Sequence, residues 1–413
     1  MSLKIVNTHT GKIFVDTEHQ LEFLTVGDYG KENNIKADFL GLHKEIHGVQ
    51  HHDVDLTKKW VATISTQKGC PMNCKFCDCP KYGYYGNATE DDLAYEIRTI
   101  LEHFRDIKHT DRFNVHFARM GEPTFNANVL TFAELSLRQI VSMYIEAATI
   151  HPVVSTMMPA TNRWLYPFIQ EWCRIKNDIY NGEAGLQLSI QSTDEEQRKE
   201  QFDDKSLPLI RIADIAERLP MPVGRKYTLN FAVTKDTILD AKELTRLFDI
   251  KKFIVKITPI HETNAAVNNG FDVGTTYTDY DVYKQFEEPL LAEGWDVIVF
   301  VPSKEEDSDR ITCGQLFFLE KAGSISGLIH VIEYERLHIS RFVPLPIQMV
   351  HDFHVFLRSD IEIDHALLNK PFLIFHVVRL LGFLLLRRQR IFSGGQFLHI
   401  ISPFSESVYM IRP

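Results

Sequence analysis

From residue 60 onward, short apolar runs alternate with amphipathic segments, and this alternation constrains the fold more than any other feature. Val61-Ala62-Thr63-Ile64-Ser65 reads as the first strand of the series. Further strands are expected at 113–118, 151–156, 185–191, 227–233, 253–258 and 295–301. Thr89 is placed to cap a helix whose apolar face is Leu93, Ile97, Ile100, Leu101 and Phe104. Other helices are expected at 126–147, 238–248 and 279–293. A chain that alternates strand and helix builds a parallel sheet with helices outside it. Six or seven such units make an α/β fold, a partial or full (β/α) barrel, with its chemistry at the C-terminal ends of the strands.

The segment after the first strand is Gly69-Cys70-Pro71-Met72-Asn73-Cys74-Lys75-Phe76-Cys77. Its C-x3-C-x2-C spacing brings three thiolates into one short loop. Such a set can hold three irons of a cubane cluster and leave the fourth open. The alternative is a structural zinc site, with Cys79 as fourth ligand. Four of the six cysteines, 70, 74, 77 and 79, share this loop, and the others are 173 and 313. That clustering suits a metal or cluster site in a reducing compartment rather than a disulfide framework.

The flanks read differently. Residues 1–55 form a small, mixed, strand-rich lead-in, with alternation at Lys4-Ile5-Val6 and Lys12-Ile13-Phe14-Val15. Residues 56–322 carry the strand–helix pattern. Residues 323–413 form a C-terminal extension of different texture, in which Lys370 is the only lysine. It is either a helical accessory domain or an extension without a selected fold. The net charge of -10 argues against binding nucleic acid through phosphates alone, so RNA would be met by a local patch. The start of the chain lacks the apolar stretch of a signal peptide. The run 371–386 is broken by His376 and Arg379 and is short for a membrane span. A cytoplasmic enzyme without a membrane association is expected.

With these residues in view, the chain resembles the radical S-adenosylmethionine (SAM) superfamily, and within it the RlmN/Cfr clade of 23S rRNA adenosine methyltransferases. The segments that carry the resemblance are Ser65-Thr66-Gln67-Lys68-Gly69-Cys70, Met120-Gly121-Glu122-Pro123, Val154-Ser155-Thr156, Leu188-Ser189-Ile190-Gln191, Ile257-Thr258-Pro259-Ile260-His261 and Thr312-Cys313-Gly314-Gln315-Leu316. The resemblance implies a radical SAM (β/α) barrel, a [4Fe-4S] cluster on Cys70, Cys74 and Cys77, and SAM on its open iron. It implies that Gly121 and Glu122 hold the SAM amino group. It further implies SAM contacts from Ser155, Ser189, Gln191 and His261, and Phe76 beside the adenine. Cys313 is implied to take a methyl group from one SAM, and a second SAM to supply a 5'-deoxyadenosyl radical that acts on that methyl. Cys173 has no such context and reads as core.

The match breaks at one catalytic position. The family has a second cysteine seven residues before the first cluster cysteine, where this chain has Thr63. A hydroxyl is a far poorer nucleophile than a thiol at neutral pH. Cys79 is a candidate replacement, or else an idle neighbour of the cluster, and Glu45 is a candidate base. The expected function is methylation of an RNA adenosine ring carbon through S-methyl Cys313. The implied partners are an rRNA or tRNA substrate and a reductant such as flavodoxin or ferredoxin. Two alternatives stand beside it: a radical SAM enzyme with a different, non-methylating reaction, and a non-catalytic Fe-S or zinc protein associated with RNA.

Overall fold

In a computed structural model, residues 3–8, 11–27, 56–273, 281–302 and 309–311 are described. A single ten-stranded sheet organises them, in the order β1-β2-β3-β4-β7-β8-β9-β10-β11-β12. The lead-in supplies β1 (Leu3–Asn7), β2 (Gly11–Asp16) and β3 (Leu21–Gly27), an antiparallel meander. Its last strand pairs antiparallel with β4 (Trp60–Ile64), Leu24 opposite Thr63. The lead-in is thus not a separate layer. It widens the sheet beside the first parallel strand.

From β4 onward every pairing in this sheet is parallel: β7 (His109–Phe117), β8 (Glu146–Thr156), β9 (Gly185–Ser189), β10 (Tyr227–Val233), β11 (Phe253–Pro259) and β12 (Val297–Val299). The remaining strands, β5 (Gln67–Gly69) and β6 (Tyr84–Asn87), form a small ribbon that frames the cysteine loop. Among the described residues β1 and β12 are the two ends of the ladder, so the barrel is partial.

Strand alternation sorts the side chains. Trp60, Ala62, Ile64, Phe113, Val115, Phe117, Leu186, Leu188, Leu229, Phe231, Val255 and Ile257 all join the main core beneath the helices. The intervening positions point inward, and many are polar: Thr63, His116, Ser155, Gln187, Ser189 and Asn230 are half-buried there.

Helix α1 (Glu90–His103) starts as its sequence requires. The Thr89 hydroxyl accepts the Asp92 N–H, and the Asp92 carboxylate accepts the Thr89 N–H. Such a reciprocal cap stabilises a helix start by about 1 kcal/mol. The expected helix 126–147 is corrected. It is split into α2 (Asn128–Thr131), a π turn (Phe132–Ser136) and α3 (Leu137–Tyr144). Its last expected residues belong to β8, because Glu146 and Ala147 pair with His109 and Thr110. A second π turn, Ile175–Ile179, follows α4 (Leu165–Arg174). The remaining helices are α5 (Glu195–Phe202), α6 (Leu209–Glu217), α7 (Ala241–Leu247), α8 (Asn264–Asn268) and α9 (Asp281–Ala292).

Candidate active site

The cysteine loop leaves β4 through Ser65, Thr66 and Gln67, each fully buried. Gly69 has φ +82, and a Cβ there would lie 2.1 Å from the Gly83 carbonyl, so this turn requires glycine. The Cys70 N–H then donates to that carbonyl at 3.1 Å. Two neighbouring elements grip the loop. From α5, the Gln201 carbonyl accepts the Lys75 N–H at 2.9 Å, and Asp203 takes the Asn73 amide and the Lys75 ammonium. From the segment after β11, Thr263 donates to the Phe76 carbonyl at 2.7 Å, and Asp78 accepts the Ala265 N–H at 2.7 Å.

Cys70, Cys74 and Cys77 are half-buried and unpaired by disulfides. Cys70 touches both small apolar clusters of this end, one with Met120 and Ile311, the other with Met72, Met157 and Phe202. Burial pushes the Cys74 thiol up, and the adjacent Cys70 and Glu122 add to the shift. An iron cluster bound there would reverse that logic and hold the sulfurs as thiolates. Among the described residues no three His, Cys, Asp or Glu side chains converge to hold a single metal ion. Zinc would draw its sulfurs to about 2.3 Å of one point. Three half-buried thiols on one short loop are the donor type that a multi-iron cluster takes.

The other expected positions fall on adjacent strand ends. Gly121 (φ +99) lies where a Cβ would come within 2.5 Å of the Gln67 side chain, and the Glu122 N–H donates to Gln67 Oε1 at 2.8 Å. The Glu122 carboxylate is buried and already well bonded. Its Oε1 accepts the Thr124 hydroxyl at 2.7 Å and the Thr124 N–H at 3.1 Å, and its Oε2 accepts the Met157 N–H at 3.0 Å. Burial raises its pKa, and those hydrogen bonds oppose the rise. Glu122 thus ties the end of β7 to the end of β8.

Ser155 and Ser189 are half-buried on the inner face, and their hydroxyls make no hydrogen bond among the described residues. Gln191 lies beyond the end of β9, not within a strand as expected. It adopts φ +67, and its Oε1 accepts the Ala232 N–H at 2.7 Å. That bond joins β9 to β10 and leaves the amide nitrogen for other use. His261 is half-buried just past β11. The Phe76 ring meets Phe202 and Phe271 edge-on at 5.9 and 6.4 Å. The three cysteines, Phe76, Gly121, Glu122, Ser155, Ser189, Gln191 and His261 all lie at the same end of the parallel strands.

Cys79 is 2% exposed, packed among Ile13, Val15, Leu24, Met120 and Ile311. A hydrogen bond to Cys70 and burial hold its thiol well above its ordinary value. A shuttling nucleophile needs exposure and a low pKa, so this geometry favours the idle-neighbour reading. Thr63 lies on the inner face, opposite His116 in register. Cys173 is fully buried, in agreement with a core role. Cys313, Glu45 and the extension 323–413 lie outside the described residues.

Three participants were missed in the sequence. Gln67 supports Glu122 from below, Asp78 anchors the segment after β11, and Arg119 forms a buried pair with Glu22 of β3. Only Asp78, between two loop cysteines, carried a local signal.

Residues 64–244 match the radical SAM superfamily model. A "Probable dual-specificity RNA methyltransferase RlmN" of Heliobacterium modesticaldum is 26% identical over 263 residues, 61% of this chain and 61% of that protein. The "Dual-specificity RNA methyltransferase RlmN" of Nautilia profundicola is 24% identical, over 62% of this chain and 68% of that protein. A radical SAM methyltransferase structure from Sphaerobacter thermophilus aligns at a TM-score of 0.49 and 19% identity, covering 73% of this chain and 77% of that one. The chain thus spans about three-fifths of the Heliobacterium relative. With the cysteine loop at the end of the first parallel strand and the matched segment beginning there, residues 64–244 of this chain are similar to the radical SAM superfamily.

Proposed function

We propose that this chain is a radical SAM enzyme that methylates a ring carbon of an RNA adenosine, with Cys313 carrying the methyl group. The observation that supports it most is the loop of three half-buried cysteines, none in a disulfide, held from both sides at the C-terminal end of β4. Cys70, Cys74 and Cys77 are the residues to hold the cluster. When bound, the [4Fe-4S] cluster and SAM supply an electron, a 5'-deoxyadenosyl radical and a methyl group. Ser155 and Ser189 offer unspent hydroxyls to the cofactor's polar groups, with Gln191 and His261 at the neighbouring strand ends. Glu122 contributes negative charge for the amino group, and Gly121 keeps the backbone low beneath it. Phe76 offers an apolar edge for the adenine. The apolar packing of Met72, Met157 and Phe202 excludes water from one side of the thiols.

The reading includes an RNA substrate, a protein reductant such as flavodoxin or ferredoxin, and a cytoplasmic setting. No helix among the described residues is long and apolar enough to cross a membrane. Thr63 favours a second reading, in which the radical chemistry is kept but a different reaction follows. A hydroxyl on the inner face does not resolve a protein–RNA crosslink as a thiol does.

An anoxic incubation of reconstituted protein with dithionite and SAM, with and without ribosomal RNA, tests both. The first reading expects 5'-deoxyadenosine, methyl on Cys313 by intact and peptide mass, and methyladenosine or a stalled protein–RNA adduct. Deoxyadenosine with an unmodified Cys313 supports the second. Absence of deoxyadenosine from protein with a full cluster overturns both.

A further inference from the structure

Cys77 is bracketed by contacts that the proposed chemistry does not use. Before it, the Lys75 carbonyl accepts the Asn269 amide at 2.7 Å, and the Phe76 carbonyl accepts the Thr263 hydroxyl at 2.7 Å. After it, Asp78, 4% exposed, turns its carboxylate to the first turn of α8. Its Oδ1 accepts the Ala265 N–H at 2.7 Å, and its Oδ2 accepts the Asn264 N–H at 3.3 Å. Bonds to a carboxylate are roughly twice as strong as neutral ones, and these occupy N–H groups that a helix start leaves without intrahelical partners. Arg310 spans the same seam. Its guanidinium reaches Asn264 Oδ1 at 3.1 Å, the Glu262 carbonyl at 3.4 Å and Asp78 Oδ2 at 3.5 Å, while its own carbonyl accepts Arg119 Nη1 at 2.8 Å. The segment that grips Cys77 begins beside a proposed cofactor contact, because the His261 carbonyl accepts the Thr263 N–H at 2.8 Å. Cys70 is held elsewhere, by the Gly83 carbonyl just before β6.

We propose that Asp78 is a positioning residue that fixes Cys77 to the start of α8 and so joins the cysteine loop to the segment carrying His261. The second half of this statement rests on the reading of His261 as a cofactor contact. With bonds at residues 75, 76 and 78, the backbone on both sides of Cys77 is tied to one neighbouring element. The same bonds hold Thr263 and Ala265, within four residues of His261. Ordering one side of the seam lowers the entropic cost of ordering the other. Cluster binding by the loop and cofactor binding beside His261 therefore strengthen each other by one and the same factor.

Full-length protein tests this with Asp78→Ala, Asp78→Asn and Thr263→Ala, in two measurements. The first is iodoacetamide alkylation of the cluster-free protein, with Cys70, Cys74 and Cys77 followed separately by peptide mass. Asp78→Ala is expected to speed alkylation of Cys77 severalfold and to leave Cys70 unchanged. Asp78→Asn removes the same charge but keeps an oxygen for the Ala265 N–H, so it should return most of the protection. Equal acceleration of Cys70 and Cys77, equal acceleration in the Ala and Asn variants, or none at all overturns the anchor. The second measurement is a SAM titration of the reduced, cluster-loaded protein, read from the change in its electron paramagnetic resonance signal. Asp78→Ala should weaken SAM binding about ten-fold, an ordinary size for coupling between two sites, and Asp78→Asn by less. Thr263→Ala, which removes the bond to the Phe76 carbonyl, carries this measurement if Asp78→Ala does not load its cluster. Unchanged SAM affinity in the loaded variant overturns the coupling. If the signal of the unmutated protein ignores SAM, the cofactor reading falls, yet the alkylation pattern still decides the anchor.

Discussion

Toward the helices, the parallel strands present Trp60, Phe113, Phe117, Leu186, Leu229 and Val255, all at most 1% exposed. Toward the inside, the same strands present Thr63, His116, Ser155, Gln187, Ser189 and Asn230, all half-buried. The outer face gains free energy from apolar burial and helix packing. The inner face leaves polar groups uncovered, and Asn230 Oδ1 is buried there with no partner. Fully covered parallel strands read as near-continuous apolar runs. The polar alternation in this sheet therefore sets the inner face apart from the apolar core. Stability and chemistry are divided between alternate residues of one strand.

The largest effect is expected on the outer face. Trp172 of α4 is fully buried, meets Phe117 edge-on at 5.9 Å and donates its indole N–H to the Gly185 carbonyl at 2.9 Å. Trp172→Ala should cost about 3–5 kcal/mol, read from urea unfolding. A loss below about 1 kcal/mol would mean that this face is not the stabilising one.

A smaller effect tests the polar exception on the outer side. Glu96 of α1 is fully buried, with Oε1 accepting the Ser65 N–H at 2.9 Å and Oε2 unpartnered. Burial lifts its pKa well above the ordinary carboxylate value. The folded state then holds a proton that the unfolded state has released. Its contribution is fully present below the unfolded pKa and is lost as pH rises from there through the folded pKa. Each unit of difference is about 1.4 kcal/mol. Glu96→Gln should flatten this fall, so its stability advantage grows with pH across that window. Parallel pH profiles for the two proteins would refute the buried-proton account.

The smallest effect belongs to the inner face. Thr63→Cys should change stability by no more than about 0.5 kcal/mol and place a thiol where alkylating reagents reach it. Cys173, fully buried and with its pKa pushed up to about 11 mainly by burial, should stay unlabelled in the same folded protein. Peptide mass mapping after brief alkylation compares the two sites. Equal protection at both positions would erase the distinction between the faces.

Much of the strand order was legible because apolar runs and their spacing are local properties. The expected run 227–233 coincides with β10, and Thr89 caps its helix as its neighbours demand. The break in the helix expected at 126–147 was not legible. Its sequence stays apolar and amphipathic through Ala147, and only pairing with β7 draws Glu146 and Ala147 into a strand. The cysteine triad was plain from spacing alone. The bonding of Glu122 was not, since its partners Thr124 and Met157 lie on different strand ends.

By itself the sequence determined the alternation of elements, the site of the sulfur-rich loop and the absence of a thiol at Thr63, because each depends on residue type and short spacing. The tertiary structure decided which face of each strand is inner, that the lead-in extends the same sheet, and that Arg119, Asp78 and Arg310 meet. Those outcomes require groups 191 and 232 residues apart in the chain to come within hydrogen-bonding reach. No local pattern encodes such encounters; they arise when burial of the outer face closes the strands side by side.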